Sequence, residues 1–439
     1  MQVDQWKRPD LIAFPGGAAA WPQQPAGPVT GSSRWRHARR GAFRLLFGGL
    51  LLSGATAMPA AAQNAPGVTD SEIKIGQTMP YTGPFAWASA FGVAERAYMQ
   101  MINDQGGING RKINLISVDD GYLPWRTGNE TRKLVEVEHV AFTFGSIGTP
   151  TQLSVARYLN ERKIPQLFIE SGAYRWGDYR ETPYTIGGVR PSYRLAGRLY
   201  ARQILRENPN AKICILYEDS DFGRDYAAGV RDVLGDRYAA TVREATYEFT
   251  DASIDRQIVE FKATGCHALI AATLPSLAVQ AIRKVNELGW KPMFFISSVS
   301  ASIPIVLWPA GLDGSIGLLC SVWAKDPLDP AFENDAAMKD WRTWMSKYLP
   351  GEDMRRPVFV NGYNSAATMV QVLKQAGRDL TRENIMRQAT NLRELELPML
   401  LPGVKVNTSP TDYYAVQQLQ LMRFDGKRWV RFGDLVYDE

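Results

Sequence analysis

Cysteine and histidine are both scarce, three of each in 439 residues. Cys214, Cys266 and Cys320 are too few for a disulfide-dense scaffold, and their spacing fits no zinc site. Because the count is odd, at least one thiol stays unpaired even in an oxidising compartment. Each sits in or just before an apolar strand-like run, so they read as buried small hydrophobes, with a single disulfide as the alternative. His37, His139 and His267 are scattered, and no Ser/His/Asp or metal grouping emerges from spacing. Long apolar runs are missing too. The stretch 45–52 falls short of the roughly 20 residues a spanning helix needs, and no later segment is long and apolar enough either. A one-sided charge is also absent from the body of the chain. The formal charge is +5, but residues 1–62 hold seven of the 50 basic residues and two of the 45 acidic ones, which leaves 43 of each. A balanced body carries no electrostatic footprint for nucleic acid.

What is present begins with a leader. Arg34, Arg36, Arg39, Arg40 and Arg44 precede the short apolar run, and Met58-Pro59-Ala60-Ala61-Ala62-Gln63 follows it. A charged segment, a short apolar segment and an Ala-x-Ala site make a secretory signal, with cleavage expected after Ala62. The alternative is an uncleaved anchor. Arg39-Arg40 also matches a twin-arginine export signal, and the Pro/Gly-rich start leaves the true initiation site open. Apolar residues make up 45% and charged residues 22%, the values of a globular protein, and 439 residues are enough for two or three domains.

Short β-type runs then alternate with helical runs. Strands are expected at 73–79, 112–118, 140–144 and 166–169, separated by helices at 91–103, 127–137 and 149–162. After Gly187-Gly188 the pattern restarts: helix 192–207, strand 213–217, helix 222–234, strand 241–247, helix 254–264, strand 268–272, helix 277–288, strand 293–296. Strands spaced by helices imply right-handed crossovers and parallel sheets covered on both faces. The fold class is therefore α/β, with two Rossmann-like doubly wound lobes. A strand at 316–322, long helices at 330–348 and 360–376, a shorter helix at 382–390 and a terminal hairpin turning at Asp425-Gly426 complete the pattern.

No enzyme emerges. The turn Met79-Pro80-Tyr81-Thr82-Gly83-Pro84 lacks the Gly-rich fingerprint of a dinucleotide-binding unit, Gly145-x-x-Gly148 is too short for one, and there is no Walker loop.

At this point the order and spacing of several motifs carry a resemblance. They are Ile73-Lys74-Ile75-Gly76 leading to Tyr81-Thr82-Gly83, the run from Ile102-Asn103-Asp104 through Gly110-Arg111, Val118-Asp119-Asp120, Ile164-Pro165-Gln166-Leu167-Phe168, and Asp219-Ser220-Asp221-Phe222-Gly223. Together the chain from about 73 to 434 resembles the leucine/isoleucine/valine-type periplasmic binding proteins that serve ABC importers. The resemblance implies two lobes joined by a three-crossover hinge, a type I periplasmic binding protein. The lobes would be 68–188 plus 318–400 and 189–317 plus 401–439, with crossovers near 187–190, 318–323 and 402–406. It further implies a small-molecule ligand between closing lobes, an inner-membrane permease and its ATPase as partners, a periplasmic monomer, no cofactor, no metal and no catalytic residue. A ligand-sensing subunit signalling to a membrane receptor is the alternative use of the same clamp.

Ligands of such sheets bind beyond the carboxyl ends of the strands. The loop after the 140–144 strand brings Ser146, Gly148, Thr149 and Thr151. There Thr149 is the expected N-cap and Pro150 the first helical residue, and free amides with the helix dipole favour a carboxylate; an ordinary capped helix is the competing reading. The resemblance implies that this loop holds the ligand's carboxylate. Ser171, Gly172 and Tyr174 follow the next strand, with Arg175 either pairing with an acid or lying on the surface. Aromatic walls are expected from Tyr81, Phe85, Trp87, Tyr122, Trp125 and Phe222, with Leu274 beside them, unless these rings are core packing. Amino-acid binders of the family place an acid after the strand matching 293–296. Here the loop reads Ser297-Ser298-Val299-Ser300-Ala301-Ser302, with Ser298 a candidate contact. Asp219, Asp221, Glu170 or Asp120 would have to substitute; a carboxylate ligand without an amine fits at least as well.

Overall fold

The computed structural model describes residues 65–437. Its first sheet has five strands, β1 (Glu72–Met79), β2 (Lys112–Asp119), β3 (Phe142–Phe144), β4 (Gln166–Ile169) and β5 (Thr185–Gly187), in the order β2-β1-β3-β4-β5. Every pairing is parallel. The strands are apolar because both faces are covered: Ile73, Ile75, Met79, Phe142, Phe144 and Leu167 are buried. Helices α1 (Ala90–Asp104), α2 (Pro124–Glu136) and α3 (Thr149–Glu161) make the crossovers. The α1-to-β2 turn depends on Gly107, at φ +78°, where a Cβ would lie 2.0 Å from the Arg111 carbonyl oxygen.

The second sheet has seven strands in the order β12-β11-β10-β9-β8-β6-β7. β6 (Ile213–Glu218), β7 (Val242–Tyr247), β8 (Ala268–Ala272), β9 (Met293–Ile296) and β10 (Leu319–Val322) run parallel; β11 (Gln418–Phe424) and β12 (Trp429–Tyr437) extend the sheet antiparallel. Helix α4 (Tyr193–Glu207) opens this block, capped by Ser192 accepting from the Leu195 N–H, and α5 (Asp221–Leu234) follows β6.

Three expectations need correction. The returning segment was placed in the first lobe from residue 318, yet Leu319 pairs with Phe295 of β9 and with Arg423 of β11. The chain leaves the second sheet only after Val322, because the apolar run Leu318–Val322 continues that core rather than starting a new one. Residues from 401 were placed in the second lobe. Instead Val406 bridges to Leu395, the Thr408 hydroxyl donates to the Ala389 carbonyl, and the Tyr413 hydroxyl donates to the Pro183 carbonyl. The crossover expected near 402–406 is instead a turn at Pro402-Gly403 on the first lobe's flank, and pairing with the second sheet resumes at Gln418. Finally, Cys214 and Cys266 form a disulfide, with Cα atoms 5.8 Å apart, and buried Cys320 is the free thiol. β6 and β8 are separated in sequence by β7 but adjacent in the sheet, which brings the two residues together.

Among the described residues no helix is long and apolar enough to cross a membrane. The leader and its cleavage site lie outside the described residues.

Candidate functional site

A cavity of about 930 Å³, counting the part open to solvent, lies between the carboxyl ends of the two sheets. Both sheets and two of the crossovers supply its walls. From the first come Phe85 and Trp87 after β1, Tyr122 after β2, Gly148 and Thr149 after β3, and Glu170 after β4. The second contributes Phe222 after β6, Leu274 after β8 and Ser298, Val299 and Ile305 after β9. Arg190 and Trp323 come from the first two crossovers, with Tyr193 at the start of α4, and Arg356 and Asn361 flank the start of helix Val358–Ala376. A second chamber of about 450 Å³ shares Ser298, Trp323 and Asn361 with the first and continues behind Trp323 to Met422 and Trp429.

Local chemistry explains several of these positions. Gly148 caps α3 with φ +106° and ψ 146°, a conformation reserved for glycine. A Cβ there would sit 2.5 Å from both the Thr151 hydroxyl and the Tyr122 ring. Tyr122 itself has φ +61° and is buried. Its N–H donates to Asp120 at 2.9 Å, Asp120 also accepts from the Thr127 hydroxyl at 2.8 Å, and its ring stacks on Phe85 with centroids 3.8 Å apart. Phe249, on the loop after β7, meets Phe85 at 5.2 Å and Tyr122 at 5.4 Å, so one ring of the second lobe packs on two of the first. Beyond β9 the backbone makes a single π-helical turn, Ile303–Leu307, N-capped by Ser302; such turns are concentrated at functional sites.

Charge in the cavity centres on Arg190, which is 8% exposed. Its guanidinium donates to Glu170 at 2.7 Å and to the Ser298 hydroxyl at 3.1 Å. It lies between the rings of Tyr193 and Trp323, 5.0 Å from each centroid. The Trp323 indole N–H donates to the Val189 carbonyl, tying the first crossover to the second. Burial raises the Glu170 carboxyl above its ordinary range, and the Arg190 charge pulls it back. Burial also raises the Tyr122 and Tyr193 phenols, which stay neutral.

Of the expected site residues, Phe85, Trp87, Tyr122, Gly148, Thr149, Glu170, Phe222, Leu274 and Ser298 line the cavity. The others do not. Trp125 is 66% exposed. The Tyr81 hydroxyl is bonded to Ser117 and Arg96. The Ser146 hydroxyl accepts from the Thr78 N–H, and the Thr151 hydroxyl donates to the Ile147 carbonyl. Tyr174 packs against Tyr414 in a tilted pair beneath Arg194, and Gly172 packs against Tyr193. Ser171 is one layer back, its hydroxyl 2.7 Å from that of Thr149. Thr149 is the first residue of α3 rather than its cap, because Gly148 takes the cap position. Arg175 pairs with Asp221 at 3.1 Å, on the surface. Sequence reasoning missed Arg190, Tyr193, Trp323, Arg356 and Phe249. A rule that looks only at strand ends passes over crossovers; an Arg beside a Gly-Gly boundary was the available signal.

Two doubly wound lobes, joined by crossovers and facing each other across a lined cleft, define the solute-gripping class of type I periplasmic binding folds. The chain belongs to the periplasmic binding protein family, whose model matches residues 72–428. That family comprises extracytoplasmic solute-binding proteins rather than enzymes. The chain is similar to Leu/Ile/Val-binding protein homolog 7 of Brucella abortus, 25% identical over 54% of this chain and 61% of that one. It thus spans about six-tenths of the length of that relative. Among solved structures, a branched-chain amino acid ABC transporter protein of Thermus thermophilus with bound valine superposes with a TM-score of 0.74 at 18% identity, covering 84% of this chain and 98% of that one. A fatty acid ABC transporter substrate-binding protein of Thermomonospora curvata gives a TM-score of 0.69 at 20% identity, covering 87% and 96%.

Proposed function

We propose that this chain is the extracytoplasmic binding component of an ABC importer of the branched-chain amino acid type. It captures a small carboxylate-bearing solute, an amino acid or an aromatic or aliphatic acid, between its lobes and presents it as a monomer to an inner-membrane permease and ATPase. The leader at 1–62 delivers it to the periplasm. The observation that carries the reading is a cleft in which aromatic walls surround a few polar groups, the composition of a small-molecule site. The α3 amino terminus, with the Thr149 hydroxyl at the wall, suits a carboxylate through its free amides and dipole. The Thermus and Thermomonospora relatives support this: valine and a fatty acid share a carboxylate and little else.

A thermal-shift screen of amino acids, aromatic acids, short-chain acids and their amides tests the proposal, because a ligand that binds the folded state alone raises its melting point. A carboxylate should bind with micromolar affinity or better, roughly −8 kcal/mol. Shifts from neutral amides alone, with every carboxylate silent, would refute it.

A further inference from the structure

Resting on that reading, we infer that the cavity selects monocarboxylates with an apolar, branched or ring-bearing body and no amine. Glu170 is the one carboxylate among the described residues lining the cavity, against the two guanidiniums of Arg190 and Arg356. Glu170 is already engaged by Arg190 at 2.7 Å, so the Arg356 guanidinium has no carboxylate partner within the cavity lining. Its ion-pair partner Glu352, at 3.9 Å, and Asp353, which its charge also attracts, both lie outside the cavity lining. A zwitterionic amino acid brings no net charge to offset that surplus, and its ammonium needs a carboxylate the cavity does not hold free. A buried ammonium without such a partner is costly.

The other acids near the cleft are committed elsewhere, with one oxygen of Glu218 the exception. Asp120 holds the Tyr122 N–H and the Thr127 hydroxyl. Asp219 takes two bonds from Arg224, and Asp221 pairs with Arg175. Asp251, at the cleft mouth, accepts from the Glu248 N–H, and Asp326, in the second chamber, accepts from the Leu328 N–H. Glu218 is buried at the end of β6 with one oxygen on the Ser220 hydroxyl and the other unpaired, and it does not line the cavity.

Donors, by contrast, are in surplus. Each guanidinium has five N–H groups. Arg190 uses them on Glu170 and Ser298, Arg356 on the Trp87 carbonyl, and the Nε–H of each is buried without an acceptor. The body of the ligand would face Phe85, Trp87, Tyr122, Phe222 and Trp323, with Leu274 and Ile305 beside them.

Calorimetry on the full mature protein, freed of bound solute by denaturation and refolding with its disulfide intact, compares matched pairs: 3-phenylpropanoate with phenylalanine, and 4-methylpentanoate with leucine. At least one acid should bind 30-fold or more tighter than its amino acid, and 3-phenylpropanamide at least tenfold weaker than its acid. Arg356→Gln should weaken the acid about tenfold while the ligand-free melting point holds. Leucine or phenylalanine binding as tightly as its acid would overturn the inference and leave the proposed function standing; loss of that binding in Glu218→Gln would identify the ammonium's partner. Silence from all four ligands and from the wider screen would remove the cavity itself as the solute site.

Discussion

Closure of the cleft can be weighed at a single ring. Phe249 packs across the cleft on Phe85 and Tyr122, at 5.2 and 5.4 Å. If the lobes hinge apart, both contacts are lost, so they favour the closed form over the open one. Each aromatic pair contributes about 0.5–1.5 kcal/mol beyond its buried area, so truncating Phe249 to alanine should cost closure about 1–3 kcal/mol. At about 1.4 kcal/mol per factor of ten, the ligand's Kd should rise between about fivefold and 150-fold. The apparent affinity falls because the competent fraction falls, while the binding surface is otherwise kept. Calorimetric titration of wild type and Phe249→Ala with the best-bound acid measures this. The ligand-free melting point should hold, since the ring is only half-buried at the rim. An unchanged Kd would refute the argument. So would a Kd change matched by an equal loss of ligand-free stability, because the ring would then support folding rather than closure.

Three further outcomes follow from the same structure. Burial pushes the Asp225 carboxyl up to about 7 against the pull of the Tyr174 N–H. The folded protein therefore keeps a proton that the unfolded chain has lost, and stability falls as pH rises from the ordinary carboxylate range to about 7, then levels. Glu218 and Asp326 reach only about 6, and Glu95, which burial raises well above its ordinary range, adds its own share, so between pH 6 and 7 Asp225→Asn should reduce the slope in urea-unfolding measurements without abolishing it; a slope unchanged there would exclude Asp225 as a contributor. Replacing Cys214 and Cys266 together with alanine opens a loop of 52 residues, and unfolding free energy should drop by about 2–4 kcal/mol; no drop would mean the bond adds nothing to the fold. Trp125→Ala should change neither ligand affinity nor stability beyond about 0.5 kcal/mol, because the side chain is solvent-facing; a weakened Kd would place the ring in the cleft.

The two sheets were legible because buried parallel strands are continuous apolar runs. Ile213–Glu218 and Ala268–Ala272 are bounded by turns and have nowhere polar to point. What escaped was whatever depends on adjacency in space. β5 has three residues and owes its existence to pairing with β4 rather than to any pattern of its own. The Cys214–Cys266 bond needs the order β8-β6-β7, which spacing along the chain cannot supply. At 402–403, Pro-Gly reads the same whether the turn ends a lobe or lies within one.

The site divided along a similar line. Glycine and aromatic positions at strand ends were legible because only glycine tolerates the backbone of Gly148, and because rings such as Trp87 and Phe222 sit next to a boundary. Hydroxyls were not, since a loop serine or threonine has two ways to be satisfied and the local one often wins. Thr151 is spent on the Ile147 carbonyl one turn back and Ser146 on the Thr78 N–H of β1, whereas Ser298 accepts from Arg190. Charges were the hardest of all. Glu170 looked like a free acid for an ammonium until Arg190, 20 residues on and across a crossover, was seen to hold it. A buried charge has meaning only together with its counter-charge. The chemistry of this cleft therefore rests on a pair that neither residue announces alone.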